Sequence, residues 1–301
     1  MSLRFIPSNT NINFFRYKWI AIGFSVLLTI ISIVSLAGQG LNFGIDFRGG
    51  ILLEVDPQQP VELSALRQQL NNLNLGEVAL QEFGEQKNLL IRVQQQAGGE
   101  AAQMAAVNQI KESLGASYDY RRVELVGPKV GKELIQAGAL ATGLSILGIV
   151  LYIWFRYEWQ FGLNAMLATV HDVLTTLGLF SILQLEFNLT SVAAILTLAG
   201  YSINDTVVVY DRIRENRRKY RSMPLEELMN QAVNRTLSRT LMTSLTVFLS
   251  VLAIYFFGGE VLAGFALAIL WGIFVGTYSS IYVASPLLLF FMPSQPKAEA
   301  A

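Results

Sequence analysis

The chain has no cysteine and one histidine, and only 15% of its 301 residues are charged. Without cysteine, disulfide staples, thiolate metal sites and cysteine nucleophiles are excluded. A single histidine excludes a multi-histidine zinc centre. The charged share falls well below the roughly 25% usual in soluble domains, while 52% of the residues are apolar. That balance excludes a disordered chain and does not fit one soluble globule. The 22 Lys and Arg are matched by 22 Asp and Glu, so no overall basic charge points to nucleic acid.

The apolar residues come in blocks. Trp19 to Ala37 is uncharged and mostly apolar, long enough for a bilayer core that needs about 20 helical residues. Charged residues then return until about Glu133. Further blocks follow near 134–155, 161–183, 189–210, 238–257 and 261–290. The pattern predicts a polytopic α-helical membrane protein with six transmembrane helices, one alone and five clustered. Arg16 and Lys18 resemble the start of a signal peptide, and Ser35-Leu36-Ala37 resembles a cleavage site. The apolar run exceeds the about 7–15 residues of a signal core, so this block is expected to stay as a helix.

Lys and Arg in short links set the expected orientation. Arg4, Arg16 and Lys18 precede the first helix without an acid, and Arg212, Arg214, Arg217, Arg218, Lys219, Arg221 and Arg235 follow the fourth. The links 184–188 and 258–260 have neither Lys nor Arg. The expected layout has a cytoplasmic tail over 1–18, a helix over 19–37 and an outside domain over 38–132. A five-helix bundle over 133–292, with a basic cytoplasmic link at 211–236, leads to a cytoplasmic tail over 293–301.

The outside segment reads as a split βαβ repeat. Strand-like runs fall at 51–55, 77–83, 88–93 and 118–126, with a turn expected from Gly84 to Lys87. Pro60 opens a helix over 61–73, where Leu63, Leu66, Leu70 and Leu73 recur at helical spacing, and a second helix over 100–115 ends at Gly115. The order βαββαβ is that of a ferredoxin-like α+β domain. No metal-ligand spacing or acid/base set appears in it, so a binding or lever role is expected over catalysis. The run Gly127-Pro128-Lys129-Val130-Gly131-Lys132 fails as a phosphate loop. Three residues rather than four separate its glycines, and Glu133 stands where Ser or Thr is needed. No nucleotide or other cofactor site is expected.

Few ionisable residues remain inside the spans. His171 and Asp172 fall halfway along the third, Asp205 lies in the fourth within Ser202-Ile203-Asn204-Asp205-Thr206, and Arg239 opens the fifth. An unpaired charge at the bilayer centre costs at least ~2.5–3.5 kcal/mol and commonly marks an ion or proton route. At 1.5 Å per residue, Asp172 would lie ~15 Å and Asp205 ~8 Å from the cytoplasmic ends of their spans. Such a series suits a proton relay, and Asp205 has no packing role that would explain it. His171 also reads as a core histidine, and Arg239 as an interfacial snorkeller. Gly272 and Gly276, with Gly143 and Gly148, mark faces for close helix approach. The basic link suits topology and anionic lipid over RNA. Met223 to Leu237 reads as a short helix along the inner face.

Taken together, the motifs resemble the SecF family of bacterial protein-export membrane proteins, within the SecD/SecF family and the resistance-nodulation-division superfamily. The run Asn42-Phe43-Gly44-Ile45-Asp46-Phe47-Arg48-Gly49-Gly50 resembles its signature after the first helix, and Gly127 to Leu134, with Pro128 and Gly131, its entry to the second. His171-Asp172, Gly200 to Asn216 with Asn204 and Thr206, and Asn234 to Ser244 continue the likeness over nearly the whole chain. The resemblance implies a non-enzymatic subunit of the Sec translocase in the cytoplasmic (inner) membrane. It would pair with SecD and use the proton motive force to promote protein translocation. Expected partners are SecD, the SecYEG channel, YajC and the translocating polypeptide. The resemblance also places Asp205 and Arg239 in the relay, with His171 and Asp172 beside them. Alternatives left open are half of a small-molecule exporter of the same superfamily and a non-conducting scaffold, with an intramembrane hydrolase a distant third and sodium in place of the proton.

Overall fold

The computed structural model describes residues 10–59, 61–76, 78–83 and 88–292. The tails 1–9 and 293–301, Pro60 and the turn expected at 84–87 lie outside the described residues. Six helices are long and apolar enough to cross a membrane, and they form the body of a polytopic helical membrane protein.

The first, α1 (Lys18–Gly38), is followed by a two-residue strand β1 (Asn42–Phe43) and a single-turn helix α2 (Ile45–Arg48). A four-stranded domain comes next, with β2 (Gly50–Pro57), α3 (Leu63–Asn71), β3 (Val78–Phe83), β4 (Asn88–Val93), α4 (Gly99–Leu114) and β5 (Tyr118–Val126). Its strand order is β3-β4-β2-β5, antiparallel throughout. Ile51, Leu53 and Val55 on β2 and Leu89, Ile91 and Val93 on β4 meet Leu66 and Leu70 of α3 and Val107 and Ile110 of α4 in one core. The leucine spacing that marks α3 therefore points at the sheet. Gly115, with φ 68°, ends α4 in a backbone region that suits glycine.

The remaining helices are α5 (Pro128–Arg156), α6 (Trp159–Leu183), α7 (Leu189–Lys219), α8 (Leu225–Phe257) and α9 (Glu260–Ser279). Between α6 and α7 lies the short strand β6 (Glu186–Phe187). The last span does not run straight: a π-helical segment at Ser280–Ala284 separates α9 from α10 (Ser285–Phe291). Such bulges gather at functional sites.

Three expectations need correction. The stretch 211–236 is not a link, because α7 continues to Lys219 and α8 begins at Leu225. Arg239 therefore lies well inside α8 instead of opening it, and Met223 to Leu237 forms no separate inner-face helix. Buried apolar residues on the extensions explain this. Ile213, Leu225, Leu228, Met229, Ala232 and Val233 join Phe14 and Phe15 of the N-terminal segment in one cluster. Asn234 fastens that segment, accepting from the Ile12 N–H at 2.8 Å and donating to the Ile12 carbonyl at 2.8 Å.

Glycines matter where backbones meet. Gly272 and Gly276 on α9 face Leu198 and Ser202 of α7, so that pair serves packing within the chain. Gly143 and Gly148 have no neighbour within 4 Å of an added Cβ. The signature glycines have two different reasons. Gly49 and Gly50 turn the chain into β2 with φ 75° and 136°, a region costly for other residues. Gly131, in the first turn of α5, lets the Phe47 carbonyl of α2 approach within 2.7 Å of where a Cβ would sit. Gly131→Ala should destabilise the detergent-solubilised protein by about 1–3 kcal/mol, the usual cost of overpacking. A thermal melt reads this, and an unchanged midpoint would contradict the close approach.

Candidate functional site

The polar residues inside the bundle gather around two carboxyl groups, both buried. Asp172 on α6 has a full set of partners. His171 Nδ1 lies 2.9 Å from its Oδ1, while the hydroxyls of Ser202 on α7 and Ser279 on α9 donate to Oδ2 at 2.5 and 2.7 Å. Three helices are thereby tied to one side chain, and a carboxylate so supplied recovers much of what burial costs it. His171 itself is buried, and its Nε2 has no hydrogen-bond partner among the described residues.

Asp205, on α7 one turn beyond Ser202, is placed differently. The Ser244 hydroxyl of α8 donates to it at 3.4 Å. Ser244 is shared: its oxygen lies 2.9 Å from Thr277 Oγ1 and accepts from the Tyr201 hydroxyl at 2.9 Å. The Thr243 hydroxyl of α8 is a further hydrogen-bonding neighbour of Asp205 and Arg239 acts on it electrostatically, yet no Arg239–Asp205 ion pair closes. Arg239 and Asn204 are exposed on the outer face of the chain. Thr206 bonds Ser280, the first residue of the π segment, at 2.9 Å. The structure thus brings Asp205, Arg239 and Thr206 to the α7–α8–α9 seam and ties His171 and Asp172 into a separate knot beside it. Ser244, Thr277, Ser279 and Ser280 were not singled out from the sequence. For the last three the signal is the hydroxyl run Thr277-Tyr278-Ser279-Ser280 inside an otherwise apolar span, while Ser244 enters the sequence reading only as the end of the Asn234–Ser244 motif.

A second polar cluster joins the α+β domain to the bundle. β1 pairs with β6 in parallel, Asn42 opposite Glu186. Asp46 of α2 accepts from the Leu189 N–H at 2.9 Å, placing a negative charge at the start of α7 where its dipole favours one. Arg92 of β4 forms an ion pair with Glu186. Gly44 makes room, since a Cβ there would sit 2.5 Å from Glu186 Oε1. Phe43, Phe47, Phe180 and Phe187 pack their rings beneath. These residues anchor the domain directly onto the first turn of α7, the helix that carries Asp205.

A polytopic membrane bundle bearing an α+β domain between its first two spans and buried acids within it defines the class. Two family descriptions match the chain: Protein export membrane protein SecD/SecF, C-terminal, over residues 106–293, and SecD/SecF GG Motif over residues 34–61. The chain is 45% identical to Protein translocase subunit SecF of Rickettsia akari over 96% of its own length and 94% of that protein's. It is 44% identical to the Rickettsia prowazekii subunit of the same name, with the same coverage. The crystal structure of SecDF from Thermus thermophilus, described as a translocon-associated membrane protein, superposes with a TM-score of 0.85 at 37% identity. That match covers 95% of this chain and 39% of the longer SecDF chain. SecDF in a super-membrane-facing form gives a TM-score of 0.70 at the same identity. The chain belongs to the SecD/SecF family of protein-export membrane proteins, where its full-length relatives are SecF subunits.

Two predictions follow from the geometry. Ser279→Ala removes one bond to the buried Asp172 carboxyl and should cost about 1–3 kcal/mol, the usual penalty for a buried polar group losing its partner. Ser250→Ala, on an exposed hydroxyl that bonds only its own helix, should cost under about 0.5 kcal/mol. Equal thermal shifts would contradict the role of the knot. At the joint, burial raises the Glu186 carboxyl above its ordinary value, although Arg92 opposes the rise. A raised folded value means that Glu186 stabilises most at pH below the ordinary glutamate value, and that this is lost as pH rises through the folded value. Glu186→Gln should abolish that component. Melting curves of both proteins from mildly acidic to neutral pH should converge at the acid end; parallel curves would refute it.

Proposed function

We propose that this chain is the SecF-type half of a SecD–SecF pair that uses the proton motive force to promote polypeptide movement through the SecYEG channel in the bacterial inner membrane. Asp205 carries the reading. It is a buried acid whose partners are hydroxyls of one neighbouring helix, the Ser244 bond 3.4 Å long, beside an arginine that does not close on it. A carboxyl in that state can change partner without dismantling the bundle, whereas a change at Asp172 would break bonds to two other helices. Arg239, exposed within a span, needs cover from lipid-distal protein; the SecD half supplies it and completes the relay. In this reading His171 and Asp172 support the relay instead of carrying the proton.

The basic end of α7, the start of α8 and both termini lie on the cytoplasmic side, and the α+β domain lies outside. The strand order and the shared helix face support a ferredoxin-like assignment for that domain. Its function is that of a lever. A change of pairing at Asp205 moves α7, and about 24 Å along that helix the Asp46 and Glu186 contacts pass the movement to the domain. The two SecDF structures agree with this chain to different degrees, which is consistent with a family whose parts rearrange. YajC and the emerging polypeptide belong to the same proposal.

Asp205→Asn should abolish the pH-gradient-dependent part of translocation into inverted membrane vesicles, while SecD still copurifies. Unchanged translocation would remove Asp205 from this role, and loss of copurification would make it structural.

A further inference from the structure

At the basic end of the bundle, α5 ends and α6 begins against the extended part of α7. A cleft of about 590 Å³ opens there, lined by Arg156, Asp211, Arg214, Glu215, Arg218 and Lys219. Its acids are already engaged. Glu215 pairs with Arg212 at 2.5 Å, and Asp211 faces the Tyr157 hydroxyl. Burial first, then that facing carboxylate, hold the Tyr157 phenol above its ordinary range. The neighbouring Glu158 is taken by Arg217 at 3.6 Å. No ion pair within 4 Å is made by Arg156, Arg214, Arg218 or Lys219 among the described residues.

Two of these cations are held in place from below. Arg156 and Arg214 lie over the buried Tyr157 ring, 5.2 and 5.8 Å from its centroid. Arg214 also donates to the Arg156 carbonyl at 3.3 Å. Both guanidinium groups are therefore gathered at one aromatic ring, and among the described residues no carboxylate closes on either of them within 4 Å. A planar guanidinium pair matches the oxygens of a phosphate.

The surroundings identify the source of that phosphate. Trp154, Phe155 and Trp159, next to the cleft, are 59%, 95% and 52% exposed. Exposed tryptophans at the ends of spanning helices sit at headgroup level. A cleft at that level meets lipid phosphate before any soluble anion.

We propose that Arg156, Arg214, Arg218 and Lys219 form a binding site for the headgroup phosphate of an acidic phospholipid, with Tyr157 as its floor. The site rests on the membrane reading and the side assigned to the basic end, and not on Asp205 or translocation. Its occupant ties α5 to α7, giving the lipid a hold on the helix that carries the relay acid.

The test uses the SecD–SecF complex in detergent and measures retained lipid by native mass spectrometry, titrating phosphatidylglycerol against phosphatidylcholine. The expected result is preferential phosphatidylglycerol binding that weakens roughly fivefold for each cation removed. Arg156→Gln with Arg214→Gln should show this. Arg218→Gln with Lys219→Gln, both exposed, tests the same site if the first pair unfolds. Arg217→Gln, whose partner is Glu158, should leave binding unchanged. The proposal is overturned if the cleft variants bind phosphatidylglycerol like the parent, or if Arg217→Gln weakens it equally. It is likewise overturned if millimolar inorganic phosphate displaces the lipid completely, or if copurified RNA released by nuclease accounts for the bound anion. Failure here leaves the Asp205 assignment standing, because translocation is not the readout.

Discussion

Moving a carboxylate into a bilayer costs at least ~2.5–3.5 kcal/mol unless hydroxyls, amides or a cation replace the water it loses. The polar residues inside this bundle are arranged around two such groups, and unequally. Asp172 receives partners from its own helix, from α7 and from α9. Among the described residues Asp205 is met only from α8, by Thr243 and by a long bond from a Ser244 hydroxyl already shared with two others. The first arrangement holds three helices together. The second leaves an acid whose environment can change, which is the property a coupling site requires.

The rest of the fold places that acid where a change has consequences. Ser202 and Asp205, one turn apart on α7, connect it to both clusters, and Thr206 reaches the start of the π segment at Ser280. At its far end the same helix is capped by Asp46 and flanked by the Arg92–Glu186 pair. The α+β domain therefore rests on the helix whose charge state is at issue. Gly44, Gly50 and Gly131 permit this seating, each by letting a carbonyl or carboxylate come closer than a side chain would allow.

Much of this was legible in the sequence, because bilayer thickness and helical periodicity leave few choices for long apolar blocks. The strands and helices of the α+β domain were readable for the same reason: Leu66 and Leu70, or Ile51, Leu53 and Val55, repeat at the period of the surface they bury. What escaped was governed by contacts distant in sequence. The 211–236 stretch looked like a link because its charges are dense, yet Ile213, Leu228 and Met229 bury on its inner faces. Arg239 was displaced from helix start to helix interior by the same error. Among the site residues, Asp205 and Asp172 stood out as charges in apolar runs. Their difference depends on Ser202, Ser244 and Ser279, and a serine in a span gives no sign of which helix it will meet.

The central claim is that Asp205, and not Asp172, is the carboxyl that exchanges its proton. Infrared difference spectroscopy of the SecD–SecF complex across a pH titration tests it directly through the carboxylic-acid carbonyl band. The account predicts a titrating band from this chain that disappears in Asp205→Asn and persists in Asp172→Asn. A band that survives Asp205→Asn and is lost in Asp172→Asn would contradict it.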